Sequence, residues 1–358
     1  MQKKFAEDNM TALEAKYEAQ KLAFSPFIFQ ASRSLRDLGV LECIQKNGKE
    51  GITLQEIQAQ TNVPEYGLKL LLDISLYIPL VTLENEKYRL TKLGFFMFSD
   101  EMTRVNMNFT NDFCYKGAEY LKESVQTEKP EGLKTFGEWK SVYEMLQNTD
   151  QENNPSWFEF DHYYSDQAFP ILLKKVFEGK VDSIMDIGAN TGRWSKLCLE
   201  YSGSVKVVAV DLPGQLERAK KNIDDSGFGD RFEIFPADLL DEKTELPSAV
   251  DAVWMSQFLD CFSEDEIVSI LKKVRKNMRE DTVVYINELF WDRQRFEAAS
   301  LSLLCTSLYF TCIANGNSRM YHSADMIRCI EAAGMEVSEQ IDDIGLGHTL
   351  LKCRLAPN

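Results

Sequence analysis

The sequence predicts an α/β protein: a domain built on a mostly parallel sheet, preceded by a smaller helical unit. Three observations carry this. From residue 181 onward, short apolar runs alternate with helical stretches: "SIMDIG", "VKVVAVDL", "FEIFPADLL", "AVDAVWMSQFL" and "TVVYINELF". That alternation is the pattern of a parallel sheet covered by helices. The first of these runs leads straight into a glycine loop, "DIGANTG". Residues 1–100 read differently, as helices closed by a hairpin.

In the first unit, "SLRDLGVLECIQKNG" places Leu35, Leu38, Val40, Leu41 and Ile44 on roughly one helical face. "TLQEIQAQTN" opens with Thr53 and carries Glu56 three residues later, the spacing of a capping box. "PEYGLKLLLDISLYIPL" starts from Pro64 and continues as an apolar stripe. "LVTLENEKYRLT" alternates around a polar turn, as a hairpin does. Helices followed by a hairpin make a winged helix. Its third helix offers Lys69 against Glu65 and Asp73, which is poor in the cations that phosphate contacts need. Packing between two copies is therefore expected of this unit, not DNA binding.

Residues 101–180 read as helices and loops, with the aromatic stretch "NPSWFEFDHYYSDQAFP" before the sheet domain. It is either core or the lining of a pocket for a flat substrate, with His162, Tyr163 or Tyr164 as polar contacts. Residues 181–358 form the sheet domain. A chain of 358 residues and net charge −16 suits two domains and disfavours nucleic acid or an anionic membrane as partner. The opening residues lack the apolar core of a signal peptide. The uncharged run 298–318 is short in apolar residues and reads as a buried helix. Eight cysteines without a CxxC pair suggest neither a disulfide scaffold nor a metal site, and fit free thiols in a reducing, cytoplasmic setting.

The glycine loop carries the functional signal. Gly188, Asn190 and Gly192 follow a strand directly, and the next strand closes at Asp211. An acidic side chain at that strand end can accept both hydroxyls of a ribose. NAD would require G-x-G-x-x-G for its pyrophosphate. Here the spacing is absent and Asp186 precedes the first glycine, which suits a cationic group better. S-adenosylmethionine, with a sulfonium, an amine and no phosphate, fits this loop. At the third strand end Asp238 can accept from the adenine amine while Leu239 packs its ring.

With these motifs in view, nearly the whole chain resembles the class I S-adenosylmethionine-dependent methyltransferases, in particular the plant-type and bacterial small-molecule O-methyltransferases of caffeate and hydroxyneurosporene type. "MDIGANTG" resembles their glycine motif, "VDLPGQLERA" their F-D-L-P element, and "PADLL" their G-D-M-F segment. "FLDCFSEDEIVSILKKVRKNM" is similar to V-L-H-D-W-S-D-E and its helix. The resemblance implies a Rossmann-like methyltransferase domain, a winged-helix dimerisation domain, a homodimer and an aromatic or polyketide-like substrate. It implies Asp186, Gly188, Asn190 and Gly192 for the methionine end of the cofactor, Asp211 and Leu212 at the ribose, Asp238 and Leu239 at the adenine, and Met255 and Ser256 beside it. The family's catalytic histidine falls on Asp260. The glutamate that orients it falls on Glu288. The second glutamate falls in "NGNSRMYHS", which has no acid.

Asp260 is thus the expected base or substrate-orienting acceptor, with Glu288 as its partner. Two carboxylates can share one proton when they are close, and the sequence alone does not give their distance. His162 is the alternative base. His322 is a candidate for the pocket edge, and His348 reads as structural. Three functions remain open on the sequence: transfer to a hydroxyl, transfer to a ring carbon ortho to a phenol, and a dimeric cofactor-binding scaffold without catalysis.

Overall fold

The computed structural model describes residues 7–149, 154–165, 167–247 and 249–357. The first six residues and Asp166, part of two of the readings above, lie outside these. The chain divides into two compact units, 1–112 and 113–358.

The first unit is helical with a three-stranded sheet. Strands β1 (Ile52–Thr53), β2 (Val81–Glu84) and β3 (Lys87–Leu90) pair in the order β1-β3-β2. Thr53 and Glu56 form the expected capping box. Leu35, Val40, Leu41, Ile44, Leu68 and Leu72 build its core. One expectation needs correction. "SLRDLGVLECIQKNG" is not a single helix: it breaks between Ser25–Asp37 and Val40–Lys46, because Gly39 takes a left-handed φ of 72°. The break leaves Leu38 exposed while its apolar neighbours stay buried.

The second unit holds a seven-stranded sheet. Its strands are β4 (Ser183–Ile187), β5 (Lys206–Asp211), β6 (Phe232–Pro236), β7 (Ala252–Ser256), β8 (Val283–Glu288), β9 (Met335–Ile344) and β10 (His348–Leu355). Their spatial order is β6-β5-β4-β7-β8-β10-β9. β4 to β8 are parallel; β10 runs antiparallel to both β8 and β9. The order turns outward in both directions from β4. In such sheets the crevice at the carboxyl ends of the central strands receives the ligand. Apolar clusters cover both faces, one around Met185, Ile187 and Ile286, the other around Trp194, Trp254 and Leu172.

The uncharged run forms the helix Glu297–Tyr309, which continues as a wider turn over Phe310–Ala314. By length and composition it could cross a membrane. Its buried side, including Leu303, Thr306 and Tyr309, packs within the unit, while Leu301, Leu304 and Leu308 face outward. It is a helix of the fold, buried on one side only.

Candidate functional site

The carboxyl ends of β4, β5 and β7 open onto a cavity of about 440 Å³. Its two ends differ in chemistry.

At one end the wall is a loop of left-handed backbone. Gly188 has φ 75°, and a Cβ there would lie 2.4 Å from the Phe258 ring. Asn190 is left-handed as well, at φ 48°. Gly192, at φ 78°, starts the helix Arg193–Tyr201. Asp211 closes β5 beside this loop. Its Oδ2 accepts the Asn190 N–H at 2.9 Å and its Oδ1 accepts the Leu212 N–H at 2.7 Å. Each oxygen keeps a second lone pair for a ligand. Burial raises the Asp211 carboxyl above its ordinary range against these two donors. Gly188, Asn190, Asp211, Leu212 and Leu239 all line the cavity.

The other cofactor candidates lie off the cavity wall. Asp186 is buried and accepts the Ser195 hydroxyl at 2.5 Å; burial pushes its carboxyl up to about 7. Asp238 is exposed and its Oδ1 accepts the Leu240 N–H, so it holds a turn. Met255 is wholly buried in the core. Ser256 Oγ accepts from Asn287 Nδ2 at 2.9 Å.

The other end is acidic and aromatic. Asp260 lines the cavity and is 4% exposed. It belongs to the short helical turn Leu259–Cys261, ahead of a helix capped by Ser263 with Glu266. Ser263, not Asp260, therefore does the capping. Glu288 ends β8, wholly buried behind the turn. Its Oε1 accepts the N–H groups of Phe258 and Leu259 at 3.1 and 2.9 Å. Its Oε2 has no hydrogen-bond partner among the described residues. Burial pushes the Asp260 carboxyl up to about 7, opposed by the Cys261 thiol and reinforced by the charge of Asp161. Burial and the Asp260 charge hold Glu288 well above the usual carboxylate range. Both carboxyls are thus held toward their protonated forms. Behind it, Tyr143 donates its hydroxyl to Cys261 Sγ at 2.9 Å, and Cys261 donates to Asp260 Oδ1 at 3.5 Å.

The helix Pro155–Ser165 supplies much of this wall. Trp157, Asp161 and Tyr164 line the cavity, spaced so as to share one helical face. Trp157 Nε1 donates to the Tyr309 hydroxyl at 2.8 Å. His162, the alternative base, is half-buried and is not among the residues lining the cavity; its ring lies 6.3 Å from that of Phe158. His322 caps the helix Ser323–Ala332 by accepting the Ala324 N–H. His348 is buried in β10 beside Gln257, 3.2 Å from its Oε1, and burial lowers its pKa to about 4.

A model of the O-methyltransferase domain matches residues 118–336. The chain belongs to the O-methyltransferase family. A Dimerisation2-like domain matches residues 16–88. Among curated proteins the chain is similar to "Flavonoid 8-O-methyltransferase 1" of Ocimum basilicum, 26% identical, with 76% of this chain and 78% of that one covered. It is also similar to "Bacteriochlorophyllide d C-20 methyltransferase" of Chlorobaculum tepidum, 23% identical with the same coverage. The apo structure of the S-adenosylmethionine-dependent methyltransferase SibL shares the fold, with TM-score 0.69 and 20% identity over 94% of this chain and 98% of that one.

This O-methyltransferase is an enzyme that takes its methyl group from S-adenosylmethionine. The loop fits that donor. Gly188 lets the Phe258 ring pack directly against the loop, and Asp211 presents a carboxylate to the cavity beside it. Sequence reasoning missed Asp161, Cys261 and Tyr143 as members of the acidic end. For Asp161 a signal existed: Trp157, Asp161 and Tyr164 recur at i, i+4 and i+7. The rare histidine next to it drew attention instead. Nothing local in the sequence ties Tyr143 to Cys261, which meet only through the fold.

Proposed function

We propose that this O-methyltransferase transfers methyl to a hydroxyl of an aromatic small molecule, with Asp260 taking the hydroxyl proton. The observation that carries this reading is a buried carboxyl, raised to about 7, in the wall of the same cavity that the glycine loop lines.

S-adenosylmethionine, when bound, supplies an electrophilic methyl group. The residues of this chain do the rest. Gly188, Asn190 and Asp211 hold the donor end. Trp157, Phe158 and Tyr309 offer flat apolar walls that orient a ring and exclude water. Glu288 grips the Phe258 and Leu259 amides and so fixes the turn that presents Asp260. A free phenol has pKa about 10, so an unshifted aspartate would face about 8 kcal/mol for full proton transfer. A carboxyl at about 7 faces about 4 kcal/mol by the same reckoning. The raised value thus supplies about half of the deficit and places the base near its working pH.

A second reading, transfer to carbon, is favoured by the name of the Chlorobaculum relative, a C-20 methyltransferase. The same carboxylate would then remove the ring proton after transfer. Incubation with methyl-labelled S-adenosylmethionine and cell metabolites, followed by locating the label on the product, separates oxygen from carbon. No labelled product at all would refute both.

The assembly is read as a homodimer. The helix Ala12–Ala23 buries none of its residues in the monomer, and Leu13, Leu22 and Phe27 are exposed. An apolar surface of this kind favours a second copy, in line with the dimerisation-type match over 16–88.

A further inference from the structure

The acceptor end of the cavity has an unusual charge. Asp161 and Asp260 line it, and the Asp161 charge acts on Asp260. Glu288, wholly buried, backs Asp260 with one oxygen that has no partner among the described residues. Among the described residues lining the cavity the single cationic one is Arg218, on the helix Pro213–Asp225 that follows Asp211. The rings of Trp157, Phe158, Phe160 and Tyr309 line the same cavity. Aromatic faces and carboxylates both attract cations in a desolvated site, and together they repel a carboxylate ligand.

We propose that the acceptor is a planar aromatic molecule carrying a protonated or quaternary nitrogen, held with its positive charge against Asp161 and Asp260 and between the aromatic walls. The proposal rests on the methyl-transfer reading above and narrows its substrate class. A cation here does two things. It favours the ionised form of Asp260, which burial opposes. If conjugated with the acceptor hydroxyl, it also acidifies that hydroxyl, which offsets the basicity that Asp260 loses beside a positive charge.

The test separates charge from shape. N-methylquinolinium, quinoline and 2-naphthoate share a bicyclic frame and carry positive, zero and negative charge at pH 7.5. Each is titrated calorimetrically into the full-length protein saturated with S-adenosylhomocysteine. N-methylquinolinium should bind at least tenfold more tightly than quinoline, and 2-naphthoate more weakly than either. Asp161→Asn should weaken N-methylquinolinium about tenfold and leave quinoline unchanged. Binding of 2-naphthoate as tight as that of N-methylquinolinium would overturn the proposal. So would an Asp161→Asn variant that weakens both other probes equally. S-adenosylhomocysteine binding is measured first: its absence would count against methyl transfer, whereas the charge series, run on the protein alone, would still decide the cavity's preference.

Discussion

Changing Asp260 to asparagine should make this protein more stable and less active, and pH should separate the two effects. Burial raises the Asp260 carboxyl from an ordinary 3.8 to about 7. Below about pH 4 the group is protonated in both the native and the unfolded chain, so it contributes no difference. Between about 4 and 7 the unfolded chain ionises while the native state keeps its proton. Native stability therefore falls as pH rises through this window, and the full penalty is present above about 7. Its size is at most about 4 kcal/mol, from 1.36 kcal/mol for each pKa unit. Asparagine is isosteric, stays neutral, and can still accept from the Cys261 thiol. The variant should gain most of that amount at pH 8 and nothing at pH 3.5. For a domain of this size the gain corresponds to a rise in Tm on the order of 10 °C. Thermal unfolding followed by near-ultraviolet circular dichroism at both pH values is the assay. Single-turnover methyl transfer should fall about 10²-fold or more in the same variant. An Asp260→Asn protein no more stable than the parent at pH 8, or equally stabilised at both pH values, would refute the claim that this carboxyl is held ionised against burial.

The parent enzyme's turnover should fall about tenfold per pH unit below about 7, and a pH–rate profile lacking that limb would remove Asp260 as base. Asp211→Ala should weaken S-adenosylhomocysteine binding by about 1.5–3 kcal/mol, the scale of hydrogen bonds to a charged group; calorimetry on the folded variant that shows unchanged affinity would remove Asp211 from the ribose. Gly188→Ala should lower the Tm and abolish cofactor binding, since the new Cβ meets the Phe258 ring and the backbone is left-handed; normal affinity in that variant would contradict the geometry of the loop. Light scattering should find the full chain a dimer at micromolar concentration and residues 113–358 alone a monomer; a monomeric full chain would contradict the assembly.

The sheet domain was legible because each strand is a short apolar run bounded by a helix signal, and because parallel strands buried on both faces need continuous hydrophobicity. β4 through β8 follow in the order the sequence suggests, and the loop at Gly188 falls where the first strand ends. The break at Gly39 was harder to see. The apolar spacing from Leu35 to Ile44 is compatible with one helix, and only the left-handed φ of a single glycine ends it. Side-chain roles were less legible than positions. Asp186 and Asp238 stand at strand ends as expected, yet Ser195 engages one and a turn the other. An acidic residue at a strand tip can face the ligand or the backbone, and the difference lies in local rotamers and turns that periodicity does not encode. The link from Tyr143 through Cys261 to Asp260 spans more than a hundred residues of sequence and exists only in three dimensions.

The proposed role of Asp260, which the sequence resemblance sets at the family's histidine position, has a physical logic that the same molecule illustrates. Burial penalises whichever protonation state is charged. For a carboxyl that is the deprotonated form, so burial raises its pKa; Asp260 reaches about 7. For an imidazole it is the protonated form, so burial lowers its pKa; His348, buried in the same unit, falls to about 4. Desolvation therefore moves an aspartate toward the phenol it must deprotonate and moves a histidine away. A buried histidine needs carboxylates around it to hold the imidazolium that forms. The family pattern provides two such positions, and this chain retains an acid at only one of them, Glu288. The segment that would carry the second supplies Asn315 and Asn317 to the cavity instead. With an aspartate as base no imidazolium forms, so a second acid has no such charge to hold. On the proposed reading, an aspartate at the family's histidine position and the missing second acid are two parts of one electrostatic change.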